Sequence, residues 1–170
     1  MSDVIHSLWF KPAGRTFDRL AEVVDRLARE RGDTPFAPHV TLVGNLAGTE
    51  QEILRRSDAL AQQLRPFTIE LTEPAYGHEH FQCVFMRVKE TSPVMAANSA
   101  ARQAFDQAPG NYMPHLSLVY GTLADAKKLE IIAQLPDLRL SFEAAAVYLI
   151  RAESDDPKDW RELAGLPIEG

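Results

Sequence analysis

One short stretch occurs twice in this chain, and it constrains the fold more than any other feature. The first copy is Pro38-His39-Val40-Thr41-Leu42-Val43-Gly44, and the second is Pro114-His115-Leu116-Ser117-Leu118-Val119-Tyr120-Gly121. The two histidines lie 115 − 39 = 76 residues apart in a chain of 170 residues. Each copy is an apolar run between a proline and a glycine, which is typical of a strand bounded by turn residues. The repeat therefore predicts two similar halves, each built around one such strand.

The polar residues of each copy are expected to share one face of their strand. Side chains two positions apart on a strand point the same way. His39 and Thr41 therefore lie side by side, and so do His115 and Ser117, while the residues between them point to the core. If the two halves face each other, two imidazoles and two hydroxyls converge on one cleft.

Hydrophobic periodicity on either side of the two copies predicts alternating strands and helices. Strands are predicted at 4–10, 39–45, 67–72, 81–89, 112–121, 138–150 and 160–166, and helices at 16–31, 49–64, 92–105 and 122–135. Capping boxes are predicted at Thr49 and at Thr122, and a turn is predicted at 73–77. This order is typical of an α+β fold with two lobes related by an approximate two-fold axis. No linker separates the lobes, so we expect a single bilobal domain spanning residues 1–170.

The composition narrows the possible partners. The formal net charge is −6, which argues against a protein that binds long nucleic acids through a basic surface. A single cysteine, Cys83, cannot form an internal disulfide bond, which favours a reducing compartment such as the cytoplasm. We find neither a signal peptide at the start nor a run of apolar residues long enough to cross a membrane. We expect a monomer that acts on a small molecule.

The four repeated side chains suit the hydrolysis of a phosphodiester without a metal or other cofactor. One neutral histidine can activate water as a general base, and the other, protonated, can donate to the leaving oxygen as a general acid. Thr41 and Ser117 can donate hydrogen bonds to the phosphoryl oxygens, where negative charge develops. Because the two histidines act in opposite protonation states, the rate is expected to follow a bell-shaped pH profile.

Other residues invite functional interpretations, but each has a simpler explanation. His78-Glu79-His80 could form part of a metal site, although no third ligand is evident and a surface loop is the better interpretation. Arg87 and Lys89 could reach a phosphate, yet their alternation along a strand is more typical of a solvated face. Taken alone, Trp9 is a candidate core residue.

The paired motifs resemble those of the two-histidine phosphoesterases. The similarity lies in Phe36-Ala37-Pro38-His39-Val40-Thr41-Leu42-Val43-Gly44 and in Tyr112-Met113-Pro114-His115-Leu116-Ser117-Leu118-Val119-Tyr120-Gly121. These stretches look most like the cyclic phosphodiesterase branch known from plants and yeast. Ser7-Leu8-Trp9 and Phe81-Gln82-Cys83-Val84 are also similar to that branch, so the resemblance spans nearly the whole chain.

The resemblance implies a bilobal α+β fold in which two antiparallel sheets with flanking helices surround a central cleft. It implies metal-independent opening of cyclic phosphates, namely ADP-ribose 1″,2″-cyclic phosphate or nucleoside 2′,3′-cyclic phosphates, the latter opened to 2′-phosphates. His39, Thr41, His115 and Ser117 match the family's catalytic positions, with His115 as base and His39 as acid. Trp9, Phe81 and Tyr120 match aromatic positions that line the cleft and contact substrate.

Two alternatives remain open. One is an RNA-end phosphodiesterase or a 2′–5′ RNA ligase-like enzyme, for which the acidic composition is unfavourable. The other is a module on the same scaffold that binds a nucleotide or RNA without catalysis, for which the presence of all four side chains is unfavourable.

Overall fold

A computed structural model of the protein describes residues 3–169. Met1, Ser2 and Gly170, at the ends of the predicted domain 1–170, lie outside the described residues. The strands are β1 (Ile5–Phe10), β2 (Val40–Val43), β3 (Phe67–Tyr76), β4 (Val84–Val88), β5 (His115–Val119), β6 (Ser141–Ala144), β7 (Ala146–Ala152) and β8 (Trp160–Pro167). The α-helices are α1 (Gly14–Arg31), α2 (Glu50–Gln63), α3 (Ser92–Ala104) and α4 (Asp125–Gln134). Short 3₁₀ helices span His80–Gln82 and Pro157–Asp159.

The first two helices illustrate how local sequence signals set the element boundaries. Helix α1 ends at Arg31 and is capped by Gly32, whose left-handed backbone (φ 72°) lets its N–H reach the carbonyls of Ala28 and Arg29. Helix α2 begins with the predicted capping box, in which Thr49 accepts from the N–H of Glu52 while the Glu52 side chain accepts from the N–H of Thr49. Both helices bury one apolar face against the sheet.

The eight strands form one curled antiparallel sheet in the order β6-β3-β4-β5-β2-β1-β7-β8. The sheet consists of two equivalent halves, β5-β4-β3-β6 and β2-β1-β7-β8, each written from the centre outward. The two motif strands, β5 and β2, are therefore adjacent at the centre of the sheet. The neighbours of the motif strands are equivalent too. Trp9 on β1 pairs with Thr41, Phe85 on β4 pairs with Ser117, and each pair follows an irregularity in strand register. The expected α+β fold with pseudo-two-fold symmetry is confirmed, but the two expected antiparallel sheets are joined into one by the pairing of β2 with β5.

The two halves meet only briefly. Strands β2 and β5 pair at Val40 and Leu116, and side chains of both strands line one cleft. The β2 carbonyls that lie beyond this pair need other partners. Side chains from outside the sheet bond to them instead: Asn98 reaches the Leu42 carbonyl (2.8 Å), and Tyr112 reaches the Thr41 carbonyl (2.7 Å).

Three predicted elements were wrong. Residues 73–77 were predicted as a turn, but β3 continues through Tyr76, because a register irregularity between Leu71 and Pro74 accommodates the proline. The predicted strand 138–150 divides into β6, which pairs with β3, and β7, which pairs with β1. Thr122 does not cap α4, since the helix begins three residues later, after Ala124.

Candidate active site

Each motif histidine is fixed by a carbonyl two residues before it. His39 Nδ1 donates to the Ala37 carbonyl (2.8 Å), and His115 Nδ1 donates to the Met113 carbonyl (2.9 Å). A carbonyl can only accept, so the neutral imidazole must carry its proton on Nδ1. Nε2 of each ring is therefore left as the atom that can take or give a proton.

The register of the central strands brings the four motif side chains together. Because Val40 pairs with Leu116 in an antiparallel ladder, the residues on either side lie opposite each other as well. His39 is thus opposite Ser117, and Thr41 is opposite His115. The result is a square of two imidazoles and two hydroxyl groups on one face, and all four residues line one cleft of about 780 Å³.

Aromatic rings enclose His39. Its ring stacks on Trp9 with centroids 3.4 Å apart and an angle of 9° between the planes, and its Nε2 lies 3.5 Å from the Tyr120 hydroxyl. Trp160 meets both Trp9 and Tyr120 edge-on. Phe81 lies between Tyr120 and Trp160. Trp9, Phe81 and Tyr120 therefore lie in one aromatic cluster that lines the cleft.

The two hydroxyl residues have different hydrogen-bond partners. Ser117 is buried, and its hydroxyl donates to the Phe81 carbonyl at 2.8 Å. Thr41 is half-buried, and its backbone carbonyl is the acceptor for Tyr112. To donate to a bound phosphate, the Ser117 hydroxyl must rotate away from Phe81.

Comparison with known proteins identifies the family. A sequence model described as the 2′-5′ RNA ligase superfamily matches residues 14–156, most of the chain. The chain belongs to this superfamily of two-histidine phosphoesterases. An Arabidopsis thaliana protein named cyclic phosphodiesterase is 26% identical over 168 residues, covering 94% of this chain and 93% of the relative. These matches identify an enzyme of the phosphoesterase kind.

Solved structures show the same fold. The apo form of Escherichia coli LigT superposes with a TM-score of 0.70 at 11% identity, over 100% of both chains. The protein TT0787 of Thermus thermophilus superposes with a TM-score of 0.69 at 18% identity, over 98% of each chain. The chain therefore shares its fold with these two proteins at low sequence identity.

Burial makes both motif histidines hard to protonate. It lowers the pKa of His39 to about 4, against a smaller opposing effect of the bond to Ala37 and with small further contributions from the charges of His115 and Lys11. Burial likewise lowers the pKa of His115, and the bond to Met113 opposes that shift. Both rings are therefore neutral at pH 7 in the protein alone.

Sequence reasoning missed one prominent member of the site, Trp160. It was predicted only as the start of the last strand, but its ring closes the cleft over Trp9, and its indole N–H donates to the Ser154 carbonyl (2.8 Å). Trp160 is 121 residues from His39 in sequence (160 − 39) and lies in no motif. Its role depends on β8 pairing with β7, which the sequence pattern does not reveal.

The remaining candidates follow their simpler interpretations. His78 is exposed and bonds to Asp125 (3.2 Å), while Arg87 and Lys89 are exposed and pair with Glu73 and Glu70. Within residues 3–169, no group of three His, Cys, Asp or Glu side chains could hold a metal ion. No helix in that range is long and apolar enough to span a bilayer.

Proposed function

We propose that this protein hydrolyses cyclic phosphates, with nucleoside 2′,3′-cyclic phosphates or ADP-ribose 1″,2″-cyclic phosphate as substrates. The observation that carries the proposal is the square formed by His39, Thr41, His115 and Ser117 on one face of the central strands. The name of the Arabidopsis relative supports the same reaction. Under this proposal the substrate is small, and a monomeric bilobal domain of residues 1–170 in the cytoplasm carries the activity.

His115 is the general base in this scheme. It is the less buried of the two histidines, and its Nε2 lacks a proton when the ring is neutral. A water molecule beside it can therefore lose a proton as its oxygen attacks phosphorus. The bond from Nδ1 to the Met113 carbonyl stabilises the imidazolium that forms.

His39 is the general acid. The electron-rich face of Trp9 lies 3.4 Å from its ring, and such a face favours a cation. Since burial holds the His39 pKa near 4 in the protein alone, the acid form must be produced by the substrate itself. A phosphate anion beside Nε2 raises the pKa of the imidazole, so binding and protonation are coupled. His39 then protonates the departing ring oxygen.

Thr41 and Ser117 hold the phosphoryl group between the two histidines. Each is opposite the histidine of the other strand, so their hydroxyl groups approach the phosphate from both sides. Hydrogen bonds to non-bridging oxygens strengthen as charge accumulates there in the transition state. Trp9, Phe81, Tyr120 and Trp160 exclude water from the acid side and contact the rest of the substrate.

The test is a panel of cyclic phosphates assayed with and without a chelator, with the phosphate isomer of the product identified by NMR. We expect hydrolysis that the chelator does not change, and 2′-phosphates from nucleoside substrates. Loss of activity with the chelator would overturn metal-independent chemistry. Preference for an RNA oligomer with a cyclic end would favour an RNA-end phosphodiesterase instead, and an inactive protein that still binds these compounds would favour a binding module.

A further inference from the structure

A second, smaller cavity opens beside the cleft, behind the Tyr120 ring. Its volume is about 270 Å³, and we call it the side pocket. The residues that define it are Ala28, Arg31, Asp33, Thr34, Phe36, His80, Leu118, Val119, Tyr120, Gly121, Asp155, Asp156 and Pro157. Three of them, His80, Tyr120 and Asp155, also line the cleft. A substrate held between the histidines therefore has this pocket within reach.

The inner part of the side pocket is apolar and aromatic. Ala28, Phe36 and Leu118 are buried core residues. The Phe36 ring stacks on Tyr120 with centroids 4.0 Å apart, and the Tyr120 hydroxyl in turn is 3.5 Å from His39 Nε2. One tyrosine ring thus separates the pocket from the proposed phosphate position. Flat apolar surfaces of this kind favour a planar heterocycle.

The polar rim of the side pocket leaves one acceptor unengaged. Arg31 Nε donates to Asp33 (2.9 Å), and Asp156 accepts from the N–H of Lys158 (3.0 Å) and from the side chain of Thr34. Asp155 is exposed at the junction with the cleft and has no hydrogen-bond or ion-pair partner among residues 3–169. A carboxylate only accepts, so it calls for a donor on the ligand.

The charge around the two cavities argues against a second phosphate. The side pocket has three carboxylates to one guanidinium, and that guanidinium is already paired. The described lining of the cleft contains Asp3, Glu79 and Asp155 but no lysine or arginine. A pyrophosphate next to the reacting group would meet like charge without a compensating cation. An uncharged ring that donates hydrogen bonds is the better match.

We infer that the side pocket binds the nucleobase of a nucleoside 2′,3′-cyclic phosphate and that Asp155 accepts a hydrogen bond from an exocyclic amino group of that base. The inference rests on the proposed function and names its substrate class. This binding mode predicts a higher kcat/KM for the adenosine and cytidine substrates than for the uridine substrate, because uracil lacks an exocyclic amino group.

The first experiment fills the pocket. Ala28→Leu extends a buried side chain into it, and Ala21→Leu, two helical turns away on the same side of α1 and outside the pocket, is the matched control. The measured quantity is the ratio of kcat/KM for adenosine 2′,3′-cyclic phosphate to that for glycerol 1,2-cyclic phosphate, which has no base. We expect the ratio to fall about tenfold or more in Ala28→Leu and to stay unchanged in Ala21→Leu.

The second experiment needs no change in the core. Asp155→Asn lies in an exposed turn, and it is expected to lower the preference for adenosine over uridine 2′,3′-cyclic phosphate by about tenfold. An unchanged preference overturns the role of Asp155. An unchanged base-to-glycerol ratio in folded Ala28→Leu overturns the pocket and moves the base to the Trp9 and Trp160 wall. If the wild type hydrolyses none of the cyclic phosphates, including the glycerol compound, the proposed function fails instead.

Discussion

The two motif strands have the same backbone arrangement but different surroundings. In both, a proline precedes the histidine, the carbonyl before that proline holds Nδ1, and an aromatic residue on the neighbouring strand pairs with the hydroxyl residue. Yet His39 is only 6% exposed and stacks on the Trp9 ring. His115 is half-buried and contacts Phe85 edge-on, with the two ring centroids 5.1 Å apart. The repeat therefore supplies the two histidines, and residues that the two copies do not share give these histidines different surroundings.

This inequality comes from residues that the two motif copies do not share. Tyr120 is present only in the second copy, and Trp160 comes from β8, yet both rings lie against His39 of the first copy. Two imidazoles in identical surroundings would titrate alike and could not easily hold opposite protonation states. Burial lowers the pKa of both, that of His39 to about 4, so the proposed roles require the bound phosphate beside Nε2 to raise the His39 pKa.

The largest expected effect comes from removing either histidine. His39→Gln and His115→Gln should each lower kcat by about 10²–10⁴-fold, the usual contribution of a general acid or base. A diester with a nitrophenolate leaving group needs no proton from the enzyme, so on that substrate His39→Gln should recover activity while His115→Gln should not. Assays of both variants on both substrates measure this. Equal recovery by the two variants would contradict the assigned roles, and undiminished activity in either would contradict the site.

The second prediction concerns how the free energy of unfolding depends on pH. His39 stays neutral in the folded protein down to about pH 4, whereas in the unfolded chain it protonates below its ordinary pKa of about 6.5. Proton uptake therefore favours unfolding, and stability is lost as the pH falls between these values. Between pH 7 and pH 4, the wild type should lose about 3 kcal/mol more of its free energy of unfolding than His39→Gln does.

Urea unfolding of the wild type and of both glutamine variants at the two pH values measures this difference. His115→Gln is the comparison variant. Because His115 is less buried than His39, its replacement should reduce the loss of unfolding free energy between pH 7 and pH 4 by a smaller amount. Parallel losses in the wild type and His39→Gln would show that His39 is already protonated or exposed in the folded protein.

The sequence predicts the square of four side chains and, through the family resemblance, three of the aromatic residues beside it, but it does not predict Trp160. Strand alternation and the repeated motif identify His39, Thr41, His115 and Ser117, because these signals are local and occur twice. The cage around His39 depends on Trp160, whose position follows from the pairing of β8 with β7 and of β7 with β1. Strand pairing over such distances is set by packing, which leaves no mark in local periodicity.

The same limit explains the errors in the fold. Residues 138–150 read as one apolar strand, and nothing in their pattern marks Ala145 as the point where the chain crosses from β6 in one half of the sheet to β7 in the other. Likewise, Pro74 is a strong local turn signal, but pairing with Met86 on β4 keeps it within β3. In both cases, pairing with a distant strand overrides the preference of the local sequence.

Replacing the two hydroxyl residues should have smaller kinetic effects than replacing the histidines, and the two effects should differ from each other. Thr41→Val removes a phosphate donor and keeps the shape, so kcat should fall by about 10²-fold with KM nearly unchanged. Ser117→Ala also removes the donor to the Phe81 carbonyl (2.8 Å), so it should raise KM as well, by about tenfold, through a less ordered wall. Steady-state kinetics of both variants, with Thr41→Ser as the conservative control, separate the two patterns. Matching changes in kcat and KM would remove the distinction between the hydroxyls.

The smallest expected effect tests how the first motif strand is held beyond its pairing with β5. The Tyr112 hydroxyl donates to the Thr41 carbonyl (2.7 Å), and burial raises the pKa of Tyr112 well above its ordinary value, so the phenol remains a donor throughout the working pH range. Tyr112→Phe leaves this carbonyl without its donor and should lower the free energy of unfolding by about 1–2 kcal/mol.

Since Thr41 is on the same strand segment, Tyr112→Phe should also lower kcat a few-fold while KM changes little. Tyr148→Phe is the matched control, because the Tyr148 hydroxyl makes no hydrogen bond within residues 3–169. Tyr112 acts through Thr41 and does not touch the substrate, so Thr41→Val and Tyr112→Phe should be non-additive in a double-mutant cycle on kcat. Additive losses would mean that the tyrosine stabilises the fold without positioning the threonine, and the first motif strand would then be held in place by Asn98 and the sheet alone.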